Sequence, residues 1–123
     1  MSVLLLFLDG VGLGEVDPAV NPWVGAATPT LRSLLGQPLA GRGRVERNGV
    51  LLVPTDATLG VDGLPQSATG QTALLTGLNA PALVGRHVTA YPTAELRGLL
   101  STHSLFAVLA AAGRTVTLAN AYT

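Results

Sequence analysis

The chain has 123 residues, of which 48% are hydrophobic and 11% charged, with a formal net charge of zero and no cysteine. That length suits one small domain, and the charged share falls far below the about 25% usual for soluble domains. The lack of cysteine excludes disulfides, thiol catalysis and thiolate metal sites.

Basic residues give no support to nucleic-acid binding. Arg42, Arg44 and Arg47 cluster, but Glu46 interrupts them and no aromatic residue interleaves. The apolar run at 3–8 lacks a basic start and is too short to span a membrane, so a cytoplasmic protein without membrane association is expected. So few charges also predict an apolar face that is covered by further chain or by an oligomer.

In chain order, residues 3–8 form an unbroken apolar run closed by Asp9 and Gly10, which predicts a strand buried on both faces. Residues 10–27 read as loop, broken by Gly10, Gly12, Gly14, Pro18 and Pro22. Thr28 as N-cap and Pro29 at the first helical position open a helix that Gly36 ends. Residues 36–49 read as connection and 50–53 as a second strand stopped by Pro54. After the loop at 55–66, residues 67–76 read as a helix ended by Gly77. Residues 78–92 read as irregular, 93–100 and 104–112 as helices, and 115–119 as a further strand. This alternation predicts an α/β fold with a mainly parallel sheet flanked by helices.

Two motifs carry chemistry. The first is Leu6-Phe7-Leu8-Asp9-Gly10-Val11-Gly12-Leu13-Gly14. A carboxylate at the carboxyl end of a buried strand stands where open α/β sheets bind ligands, and oxygen donors suit a hard cation. A plain Asp-Gly turn explains the same residues. A dinucleotide fingerprint does not, because position 15 is Glu where the pattern needs Gly.

The second motif runs from Gly63 to Gly77. A loop rich in glycine and hydroxyls enters a helix N-terminus, where free N–H groups and the helix dipole favour a phosphate. A serine there can attack phosphorus. The competing reading is that Ser67 or Thr69 merely caps the helix. Capping leaves Gly70 unexplained, whereas close approach of a ligand to the backbone accounts for it.

Together these motifs resemble the alkaline phosphatase superfamily, closest to the branch of cofactor-independent phosphoglycerate mutase and phosphopentomutase. The opening strand with Asp9 looks like that family's metal-binding aspartate. Residues 28–35 resemble its "T-P-x-L-x-x-L" helix, and Gly63-Leu64-Pro65 resembles the lead-in to its nucleophile. Ser67-Ala68-Thr69-Gly70-Gln71 is similar to the phosphopentomutase run "T-x-T-G-H". The sulfatase spacing, counted ten residues back from Gly77, also falls on Ser67. Thr72 is the runner-up, since Gly70-Gln71-Thr72 also resembles the mutase "G-N-S", and Thr69 competes too. Gln71, Thr69 and Ser67 depart from the sulfatase motif, which argues against a sulfatase.

The resemblance implies a metalloenzyme that transfers phosphoryl groups, a phosphomutase or phosphatase, through a phosphoserine at Ser67. It implies two divalent ions, Zn or Mn, with Asp9 and Ser67 as ligands, and a small phosphorylated substrate held by Gln66 and Gly70. Arg86 and His87 are weaker candidates facing the phosphate. The matching motifs cover residues 1 to about 80, so the chain is expected to be the N-terminal portion of a single catalytic domain, inactive by itself. The remaining half and any cap domain would lie outside it. The alternative is a small non-catalytic α/β module that binds an anionic ligand or a partner. Asp56 and Asp62 read as exposed loop acids, and His103 receives no role.

Overall fold

The computed structural model describes residues 2–119. They contain six short helices and a single two-stranded antiparallel sheet. This corrects the expected mainly parallel sheet flanked by helices. The chain divides into two compact units, one within Met1–Thr55 and one within Asp56–Thr123.

In the first unit, α1 (Pro22–Gly25) and α2 (Pro29–Leu35) precede a hairpin of β1 (Val45–Arg47) and β2 (Val50–Leu52). The strands pair antiparallel, with Val45 opposite Leu52 and Arg47 opposite Val50. Asn48 (φ 48°) and Gly49 (φ 77°) form the two-residue turn. Left-handed backbone at both positions is the Asn-Gly hairpin chemistry, which the sequence reading of 36–49 as plain connection overlooked. Helix α2 packs on the hairpin, and its Leu35 is buried. Thr28 does occupy the N-cap position, but its side chain makes no capping bond.

Residues 3–8 form no strand, and their side chains stand outside, from Leu4 at 90% exposure to Phe7 at 44%. Residues 115–119 likewise form no strand. The physical reason is that a strand closes its hydrogen bonds on another segment. A parallel neighbour lies at the end of a crossover of a dozen or more residues. Among the described residues only β1 and β2 pair, through a turn that needs no crossover.

The second unit is helical: α3 (Ser67–Thr76), α4 (Ala80–Val84), α5 (Ala94–His103) and α6 (Leu105–Ala111). Helix α3 is central and touches the other three. The core is small: Ala68, Ala80 and Leu96 are buried, with Ala73, Val84, Val88 and Leu99 packed against them. Helix α3 begins and ends where the sequence places it, and Gly77 at φ 73° supplies the left-handed stop. Helix α4 lies in the stretch read as irregular. Asn79 caps it by accepting from the Ala82 N–H at 3.2 Å, and Gly85 ends it. Thr93 and Ser104 cap α5 and α6 in the same way.

Candidate functional site

Ser67 is the first residue of α3 and is half-buried. What precedes and faces it is held by residues 87 and 88. The Val88 carbonyl accepts from the N–H groups of Ala68 (3.1 Å) and Thr69 (3.4 Å). The Val88 N–H donates to Thr69 Oγ1 at 3.2 Å. One residue earlier, His87 Nε2 lies 3.1 Å from the Val61 carbonyl oxygen. A carbonyl only accepts, so Nε2 is the donor in this contact. The loop leading to Ser67 and the first turn of α3 are thus fastened to adjacent residues of one segment.

This arrangement separates the three hydroxyls that compete in the sequence. Thr69 is fully buried, and its hydroxyl donates to the Gln66 carbonyl at 3.3 Å while accepting from Val88. Thr72 is 1% exposed, and its hydroxyl donates to the Ala68 carbonyl at 2.7 Å. Both are knitted into helix packing. Ser67 alone of the three stands at the helix end with part of its surface in water.

The expected phosphate cradle fares differently. The N–H groups of Ala68 and Thr69 point to Val88, and that of Gly70 points to the Gln66 carbonyl at 2.9 Å. A phosphate at Ser67 would therefore feel the helix dipole without taking these three donors. Beside Gly70 the space is open, with nothing within 4 Å of where a Cβ would stand. Gln66 is half-buried at the N-cap position, with no capping bond from its side chain. Arg86 is exposed, and its backbone N–H donates to the Pro81 carbonyl. Asp56 and Asp62 are exposed loop acids, as read. The Thr58 hydroxyl and then its N–H bond to Asp56 and hold that carboxyl below the ordinary carboxylate range. His103 is exposed and meets the neighbouring Thr102 hydroxyl.

A groove with a cavity volume of about 290 Å³ runs beside the same helix. One face of α3 (Ala68, Gln71, Thr72, Leu75) forms one wall. Ala90, Tyr91 and Pro92, with Leu100 of α5, form the other. Ala90 sits at φ 57°, a left-handed backbone that a residue with a Cβ seldom adopts. The sequence reading missed this groove. The four-residue spacing of Ser67 and Gln71 was legible, but nothing local announces the bend at Ala90.

Asp9 belongs to the first unit and is exposed, in the glycine-rich stretch that follows the apolar run. Nearby, Asn21 is buried, and its amide donates to the Glu15 carbonyl at 2.9 Å while its oxygen accepts from the Trp23 N–H. The two divalent ions implied by the resemblance need roughly four or more ligands each. Among the described residues no three His, Asp or Glu side chains gather into a metal-holding group. Asp9 and Ser67 offer one oxygen-bearing side chain each. These donors do not fill such a centre. Among the described residues no helix is long and apolar enough to cross a membrane.

Compared with known proteins, the chain matches no family model, no curated protein and no solved structure.

Proposed function

We propose that this chain carries the nucleophile of a phosphoryl-transfer enzyme, a phosphomutase or phosphatase, and that the nucleophile is Ser67. The substrate is a small phosphate ester. Ser67 Oγ bonds to phosphorus and the ester P–O bond breaks. The serine proton ends on the departing alcohol oxygen, leaving a phosphoserine. Water or a second hydroxyl then takes the phosphoryl group and restores the serine. The proposal keeps the cytoplasmic location expected from the sequence. Of the implied metal centre it keeps only Asp9, as the carboxylate that would ligate at most one divalent cation, Zn or Mn.

The observation that supports it is the sorting of hydroxyls on α3. Ser67 stands at the helix end, partly exposed, at the positive end of the helix dipole, whereas Thr69 and Thr72 are buried. A phosphoserine at that place is stabilised by the dipole, and the open space beside Gly70 lets the phosphoryl group approach.

The test is intact-mass analysis after exposure to 4-nitrophenyl phosphate with Zn or Mn supplied, made on this chain and on any longer protein that carries it. One phosphoryl adduct is expected, mapping to Ser67 and missing from Ser67→Ala. An adduct on Thr69 or Thr72 would refute the choice of nucleophile. Phosphate that binds without ever becoming covalent would leave an anion-binding module instead.

A further inference from the structure

The groove beside α3 lies on the stripe of the helix that Ser67 begins. Ser67 and Gln71 are four residues apart on one helix, so their side chains share a face, displaced by about 6 Å along the axis. Gln71, Ala68 and Leu75 then line the groove from that face.

The lining decides what the groove can hold. No Arg, His, Asp or Glu lines it. Ala68, Leu75, Ala90, Pro92 and Leu100 present hydrocarbon, and Tyr91 adds an aromatic ring with one hydroxyl. The Thr72 hydroxyl already donates to the Ala68 carbonyl. A polyhydroxylated or charged guest would lose hydrogen bonds to water and regain few, at a cost for each polar group left unpaired. An uncharged and mainly apolar guest loses nothing of that kind, and the Gln71 carboxamide can meet one polar atom on it. A volume of about 290 Å³ suits a group of about one ring, at the lower end of small-molecule sites.

We propose that this groove holds the alcohol half of the substrate, an uncharged aryl or similarly apolar ring, in an ester whose phosphoryl group meets Ser67. This rests on the reading of Ser67 as nucleophile. The bond that breaks joins phosphorus to the ring oxygen. The ring leaves as a neutral phenol-like alcohol carrying the proton that Ser67 gives up. Charged or sugar-like esters are poor guests, so this occupant goes with the phosphatase form of the reading and not with the phosphomutase form.

The experiment is a set of NMR titrations of the isotope-labelled chain with phenol, glycerol and inorganic phosphate, each alone. Phenol is expected to shift the methyl signals of Ala68, Leu75 and Ala90 and the side-chain amide of Gln71, and glycerol is not. Phosphate is expected to shift the amides of Gln66 and Ser67. Leu75→Ala should weaken phenol binding about tenfold by removing apolar wall. Leu75→Met, which keeps that wall, should retain it, and circular dichroism reports whether each variant folds. If phenol leaves the groove signals unmoved, or glycerol moves them equally, the groove assignment is overturned even where phosphate finds Ser67. If phenol fills the groove while phosphate leaves residues 66 and 67 unmoved, the ester assignment falls together with the reading of Ser67.

Discussion

Thr69 and Val88 bond to each other in both directions, the Val88 N–H donating to Thr69 Oγ1 at 3.2 Å and the Thr69 N–H to the Val88 carbonyl at 3.4 Å. Thr69 is fully buried, so no water can replace its hydroxyl. Thr69→Val keeps the shape and strands the Val88 N–H. Urea unfolding should show a loss of about 1–3 kcal/mol. Thr69→Ser keeps the hydroxyl and should lose only about 1 kcal/mol, the worth of one buried methyl. Equal losses in the two variants would mean that the hydroxyl contributes nothing.

The glycines at 70 and 77 should respond in opposite ways. Gly77 ends α3 at φ 73°, and a Cβ there costs about 1–2 kcal/mol. Gly77→Ala should lower the melting temperature. Gly70 lies within the helix with open space beside it, so Gly70→Ala should stabilise the fold by about 0.5–1 kcal/mol. If Gly70 serves the approach of a phosphoryl group, that more stable variant should also form less phosphoenzyme. Gain of stability with unchanged phosphoenzyme would remove Gly70 from the site.

Asp56 makes a prediction about pH. Its carboxyl is held below the ordinary range by the Thr58 hydroxyl first and the Thr58 N–H second. A carboxyl depressed on folding contributes stability that is fully present above its unfolded pKa and is lost as pH falls through the folded one. Thr58→Val removes the first cause. The Asp56 midpoint, followed by carboxyl-carbon NMR, should then rise toward the ordinary value, with acid unfolding moved to higher pH. A midpoint that does not move would assign the depression to the backbone alone.

Asp9→Asn should reduce uptake of Zn or Mn as measured by elemental analysis, while circular dichroism stays unchanged. Equal metal in the variant, or none in the parent protein, would remove Asp9 from the proposed cation site.

What was legible in the sequence follows from where each element finds its hydrogen bonds. Helix α3 was readable from Ser67 to Gly77 because a helix bonds within itself and its stop is a single left-handed glycine. Helix α2 was readable from Pro29 and Gly36 for the same reason. Of the strands, β2 was readable as the run at 50–53 before Pro54, and the others were not. Residues 3–8 have the composition of a buried strand, but composition cannot supply a partner, and none among the described residues pairs with them. The hairpin was legible in Asn48-Gly49 and helix α4 in Asn79, Pro81 and Gly85, and the reading passed over both signals. At the candidate site, motif spacing alone preferred Ser67 to Thr69 and Thr72. The burial that sets those two threonines apart was not legible, because the bond from Val88 and the packing on α5 join residues far apart in the chain.

The bare run at 3–8 bears on how any of these experiments is run. Six strand-prone residues without charge, proline or glycine are the composition from which intermolecular cross-β stacks grow. Asp9 is the first charge after them and Glu15 the next. A charge flanking such a segment acts as a gatekeeper, making the addition of each further chain electrostatically unfavourable. Asp9→Asn therefore alters two properties at once, the proposed cation site and the colloidal behaviour of the chain. Light scattering measured alongside elemental analysis separates them: lost metal with unchanged scattering belongs to the ligand, whereas lost metal with rising scattering reports self-association.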